Sequence, residues 1–127
     1  IELQNSIVDT KVVSGYGLSD SSNFISIDKL YLLSTKEIWE QGASNIINND
    51  TARDSTRQLD YYKHLGVASD NGSEAIKQYN DTNYQWYLRT AYSTLNTSFY
   101  FVQNNNGNYG ASIENGERGV SPAFRIG

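Results

Sequence analysis

Catalysis needs a nucleophile beside a base, a metal cluster or a tuned pair of acids. The 127-residue sequence supplies few parts for any of them. There is no cysteine, which removes thiol nucleophiles, thiolate zinc sites and disulfides together. His64 is the sole histidine, so no His-paired metal can form, and no Gly-x-Ser-x-Gly elbow exists to expose a serine beside it. It reads as a surface residue of a helix. Glu114 and Glu117 could face each other in a loop, but nothing in their spacing fixes the separation a glycosidase pair requires. Asp70-Asn71-Gly72-Ser73-Glu74 and Asn49-Asp50 are oxygen-rich without calcium-loop spacing and read as turns. The expectation is a protein that is not an enzyme and has no cofactor and no obligatory metal.

Recognition chemistry is better supplied. Ten Tyr, two Trp and four Phe stand among many Asn, Ser, Thr and Gly. In such a mixture, Tyr offers rigid amphipathic area and the small polar residues offer adaptable hydrogen bonds. The net charge is −4, and the Lys and Arg residues form no stripe, so a nucleic-acid partner is not expected. Four Asn-x-Ser/Thr sequons, at Asn49, Asn71, Asn80 and Asn96, are what chance gives in so Asn- and Thr-rich a chain. The length suits one domain with its own core. The start at Ile1, without Met, leader or long apolar run, suggests a fragment of a larger protein with no membrane insertion.

The elements that must position these residues read as α+β. Ile7-Val8 and Val12-Val13 flank polar residues in an early strand, a turn region runs from Ser14 to Asn23, and Lys29 to Leu33 has the length of a strand. Ser34-Thr35-Lys36-Glu37 is a capping box, predicting a short helix to about Gln41 that stops at Gly42. A second box, Ser55-Thr56-Arg57-Gln58, precedes an apolar stripe of Leu59, Tyr62 and Leu65, with Gly66 in the position of a left-handed cap. Beyond Ala75, rings and β-branched residues come in short bursts between polar loops, as strands do.

In Tyr84-Gln85-Trp86-Tyr87-Leu88-Arg89-Thr90, alternation puts Trp86 and Leu88 on a core face and Gln85, Tyr87 and Arg89 on the other. In Ser98-Phe99-Tyr100-Phe101-Val102, the same reasoning places Phe99 and Phe101 together, opposite Ser98, Tyr100 and Val102. The chain closes with Gly119-Val120-Ser121-Pro122-Ala123-Phe124-Arg125-Ile126, whose proline suits an edge or terminal strand.

These blocks resemble a bacterial and phage domain of uncharacterised function that typically reads Trp-Leu-Arg-Ser in the middle and Gly-Val-Arg-Pro-Ala-Phe at the end. Similar endings occur in the variable proteins of diversity-generating retroelements. The resemblance is strong over the last third and weaker around Leu32 to Ile38 and Tyr61 to Lys63. Two positions depart from the pattern: Ser121 stands where the family has Arg, passing any role of that guanidinium to Arg118 or Arg125, and Thr90 stands where Ser is usual.

The resemblance implies a C-type lectin-like fold, with two short helices packed on a small, mainly antiparallel sheet with long loops. It also implies diversification at adenines, mainly in Asn codons, giving Asn, Tyr, Asp, Ser and Thr at exposed sites. Tyr84 to Glu117 is dense in such residues, including Ser93 and Ser112. The expected ligand-binding set is Tyr84, Tyr87, Tyr92, Asn96, Tyr100, Asn104, Asn106, Asn108, Tyr109 and Asn115, over a core of Trp86, Leu88, Phe99, Phe101 and Phe124. The same Asn residues also suit plain turn chemistry. The function expected is metal-independent recognition of a protein or glycan ligand at a bacterial surface or phage tail. The alternative is a decoration or assembly module, and a carbohydrate-active enzyme is a third possibility without nameable residues.

Overall fold

The computed structural model describes residues 2–17, 20–43, 57–92, 95, 97–113 and 117–127. After a one-turn helix, α1 (Glu2–Ser6), come β1 (Ile7–Val8) and a long hairpin of β2 (Thr10–Gly17) and β3 (Asp20–Asp28). The expected turn from Ser14 to Asn23 is therefore mostly strand. Pairing runs from Thr10 opposite Asp28 to Gly17 opposite Asp20, with an irregularity between Gly15 and Gly17. The Tyr16 and Phe24 rings meet at 5.0 Å; cross-strand contact of this kind outweighs the local turn preference of Gly, Ser and Asn.

The apolar run from Lys29 to Leu33 does not form a strand. It makes a single bridge, in which Tyr31 and Ala123 exchange both backbone hydrogen bonds, at 3.1 and 2.7 Å. The capping box that follows is present in full: the Glu37 amide donates to Ser34 Oγ at 3.3 Å and the Ser34 amide to Glu37 Oε2 at 2.7 Å. It opens α2 (Thr35–Ile38), shorter than expected because Trp39 turns extended to enter the core, with Gly42 at a φ of 67°.

Of the second box, Ser55 and Thr56 lie outside the described residues, as do Asn49 and Asp50. Gln58 does no capping: its buried amide donates to the carbonyls of Ile38 at 2.7 Å and Val67 at 2.8 Å, tying two segments together. Helix α3 (Asp60–His64) begins after Leu59 without a side-chain cap. Its Tyr62 is buried, and Gly66 adopts the expected left-handed φ, 72°.

A 3-10 turn at Ser73–Ala75 leads into the hairpin of β4 (Lys77–Tyr79) and β5 (Thr82–Tyr84). Asn80 and Asp81 turn it with positive φ at both positions, 50° and 59°, the signature of a two-residue type I′ turn. A three-stranded antiparallel sheet follows, made of β6 (Trp86–Ala91), β7 (Ser98–Val102) and β8 (Tyr109–Ile113). The last strand, β9 (Arg125–Ile126), pairs antiparallel with β1. The architecture is thus mixed α/β, a few short helices among small antiparallel sheets. Among the described residues, no helix is long and apolar enough to cross a membrane.

The core gathers Ile38, Trp39, Tyr62, Trp86, Leu88, Tyr100 and Val102 from α2, α3, β6 and β7. Two core expectations fail. Along β7 it is Ser98, Tyr100 and Val102 that face inward, while Phe99 is 47% exposed. Phe101, though buried, lies on the opposite face under Arg118. Both faces of β7 are apolar, so alternation could not choose between them; the neighbouring β6 chose, by turning Trp86 and Leu88 to that side. Phe124 is 41% exposed, because at this end of the chain it is Ala123 that turns toward the core.

Candidate functional site

The Trp-Tyr-Leu-Arg-Thr block is the frame on which any site must hang. Trp86 is 2% exposed, and its indole N–H donates to the Ala75 carbonyl at 3.1 Å. Arg89 turns away from solvent: its guanidinium pairs with the Glu37 carboxylate and donates to the carbonyls of Val13 at 3.2 Å and Leu32 at 2.7 Å. One side chain so ties β2, the segment before α2, and the capping box to β6. Thr90 Oγ1 accepts from the Thr35 amide at 2.9 Å, another otherwise orphaned donor at the helix start. Ser would place the same oxygen there.

The expected ligand-binding set divides. Tyr100 is 1% exposed and belongs to the core, which corrects its assignment to the surface. Tyr92 and Tyr109 are half-buried and pack their rings on Tyr100 at 5.6 and 5.9 Å, and Tyr109 also meets Trp39 edge-on at 5.6 Å. These three tyrosines form one aromatic cluster whose first task is packing. In the loop before β8, Gln103 accepts the Gly107 amide on its carbonyl at 3.1 Å, and Asn106 Oδ1 accepts the Asn108 amide at 2.9 Å. Asn106 thereby closes an Asx turn with its oxygen while its side chain stays exposed. A Cβ on Gly107 would meet the Gly72 carbonyl oxygen at 1.8 Å, so the loop is seated on the turn before the 3-10 segment. Asn104 is exposed and Asn108 half-buried. Ser93, Asn96, Glu114 and Asn115 lie outside the described residues, and of Ser112 only the backbone is described. His64 is exposed at the end of α3.

Tyr84 and Tyr87 do stand beside open space. A groove of about 600 Å³ runs between the β4–β5 hairpin and the tail residues Glu117 to Ser121. Lys77 pairs across the hairpin with Tyr84, and by alternation Lys77, Tyr79 and Tyr84 share a face. The Tyr79 and Tyr84 rings are 5.8 Å apart, the diagonal cross-strand contact that long side chains make. Lys77 Nζ sits 5.0 Å above the Trp86 ring. That position desolvates the ammonium and pushes its pKa below the ordinary lysine value.

The opposite wall belongs to Arg118. Its guanidinium lies 3.9 Å from the Phe101 ring centre, donates to Gln85 Oε1 at 3.1 Å and to the Tyr87 hydroxyl at 3.3 Å. Gly119 holds the tail against β6, donating to the Gln85 carbonyl at 2.8 Å and accepting from the Tyr87 amide at 3.0 Å. Ser121 lines the groove; Arg125 is exposed in β9 and does not line it.

Sequence reasoning missed Lys77 and Tyr79, and named Arg118 and Ser121 without placing them against the hairpin. Asn80-Asp81 is the turn signal by which the hairpin could have been found, but nothing local says that residues 77–86 and 117–121 meet. A second, more apolar depression of about 500 Å³ lies on the far side of Tyr87, bordered by Tyr16, Phe24, Leu32, Phe99 and Val120. Among the described residues, no group of three His, Asp or Glu side chains is placed to hold a metal ion.

Residues 2–127 match the profile of a domain of unknown function, DUF6273, and the chain belongs to that family. No curated protein and no solved structure shows significant similarity to it.

Proposed function

We propose that this chain is a non-catalytic recognition domain whose ligand lies in the groove between the β4–β5 hairpin and the tail. The observation that carries this reading is the groove's composition: two exposed or half-buried tyrosines, two glutamine amides, a serine hydroxyl, two cations and one carboxylate. Concave sites with rings and a few convergent polar groups are where ligands bind. On this reading the scaffold is C-type lectin-like and akin to the variable proteins of retroelements, displayed on a bacterial surface or phage tail. Recognition there needs no metal.

Purified protein applied to arrays of surface glycans and bacterial envelope proteins tests it. Binding is expected to survive a chelator and to fall at least about tenfold in Tyr79→Ala, a loss of roughly 1.4 kcal/mol, with unchanged melting temperature. Array signals that Tyr79→Ala and Tyr84→Ala leave intact would move the site elsewhere.

A second reading, an assembly module, draws on β3. Phe24, Ile25 and Ile27 are all exposed on a nine-residue strand paired on one side only, to β2, among the described residues. Exposed apolar edges invite pairing. Concentration-dependent self-association, abolished by Ile25→Lys, would favour it.

A further inference from the structure

Resting on the groove just described, we propose that its ligand is an acidic saccharide: a pyranose whose carboxylate meets Lys77 and Arg118 while its C–H face lies on the Tyr79–Tyr84 pair. The charge distribution comes first. The chain carries net −4, yet among the described residues this groove is lined by two cations, Lys77 and Arg118, and one carboxylate, Glu117, which is exposed. A cationic ligand would meet like charges there. A neutral one would bring no carboxylate to the Lys77 ammonium, which stands 5.0 Å above the Trp86 ring.

The rings decide the rest. Tyr79 is 65% exposed and its ring is tilted 59° to that of Tyr84, so the two faces are inclined to each other and are not the parallel plates of a slot. A puckered ring with hydrogens on one face fills such an angle. A flat aromatic acid would contact only one of the two rings. Ser121 and the Gln85 amide, whose oxygen is already held by Arg118 at 3.1 Å, add polar partners suited to a polyol.

The test is an amide-resolved NMR titration with methyl glucuronide and, in parallel, methyl glucoside, which share a ring and differ in the carboxylate. The glucuronide is expected to shift the signals of Lys77, Tyr84, Gln85 and Gly119, and the glucoside to bind at least about tenfold more weakly. Lys77→Gln should abolish that preference, as exposed Lys77 can be replaced without unfolding the hairpin. Arg118→Lys, which keeps the charge where Arg118→Gln could loosen the stack on Phe101, should retain most of it. Equal binding of the two sugars, a preference unchanged in Lys77→Gln, or no groove shifts at millimolar glucuronide would each overturn the proposal. Should array binding sensitive to Tyr79→Ala persist in any of those cases, only the saccharide class falls. Loss of both removes the recognition reading as well.

Discussion

Arg89 concentrates more of the architecture than any residue in the groove. With its side chain 10% and that of Glu37 12% exposed, the pair is nearly dry, and each member holds backbone besides its partner. Removing one member of a buried pair strands the other, at a cost of about 3–5 kcal/mol. Arg89→Ala is expected to lose that much in urea denaturation, whereas Thr90→Ser, which keeps the hydroxyl on the Thr35 amide, should lose less than about 1 kcal/mol. Equal losses would show that the network is not what fixes the start of α2. The capping half of this network was legible, because Ser34 and Glu37 stand three apart. The ion pair was not. Arg89 sits on the face that alternation assigns to solvent, and only the arrival of β2 and the capping box covers it. Tyr100 misled for the opposite reason: a tyrosine between two phenylalanines looks like the outward member of the strand until Trp86 and Leu88 commit the inner side.

At the scale of elements, α2 and α3 are too short to be stable alone and persist by packing. Tyr62 records that packing. Burial, then the neighbouring Tyr61 and Glu37, push its pKa from 10.0 to about 12. A phenol whose pKa is raised by folding keeps its proton in the native state after the unfolded chain has lost it. The stabilisation is therefore complete below pH 10 and is lost progressively as pH rises from 10 to 12. Its full size is of order 2–3 kcal/mol. Urea midpoints at pH 9 and 11 should drop more in the wild type than in Tyr62→Phe, which has no proton to lose; parallel declines would refute the link. The same scale explains the split among the Asn residues. Asn80-Asp81 turn the β4–β5 hairpin through positive φ at both positions, and Asn106 turns the loop before β8 by accepting the Asn108 amide on its side-chain oxygen, a role open to Asn from sequence alone.

Across the whole molecule, the tail is the part that joins everything else. Residues 119–127 run first along β6 through Gly119, then exchange two hydrogen bonds between Ala123 and Tyr31, then pair Arg125 and Ile126 with Val8 and Ile7. The Gly-Val-x-Pro-Ala-Phe ending is thus a strap, and it supplies one wall of the groove as a by-product of holding the fold closed. This is why the groove could not be read from sequence: its two walls lie more than thirty positions apart and meet through backbone bonds that any residue types could make. The strap also reverses the expected roles of its residues. Phe124, the largest apolar side chain in it, is exposed, while small Ala123 packs on the core and donates to Tyr31 at 2.7 Å. Ala123→Pro deletes that donor and should destabilise by about 1–3 kcal/mol through the stranded carbonyl. Phe124→Ala, which opens no internal cavity, should stay within about 1 kcal/mol, against the roughly 3–5 kcal/mol of Trp86→Ala. If Phe124→Ala instead approached Trp86→Ala in thermal denaturation, its ring would be covered in solution, and the tail would have to close over the fold differently from the arrangement in which it forms the groove wall.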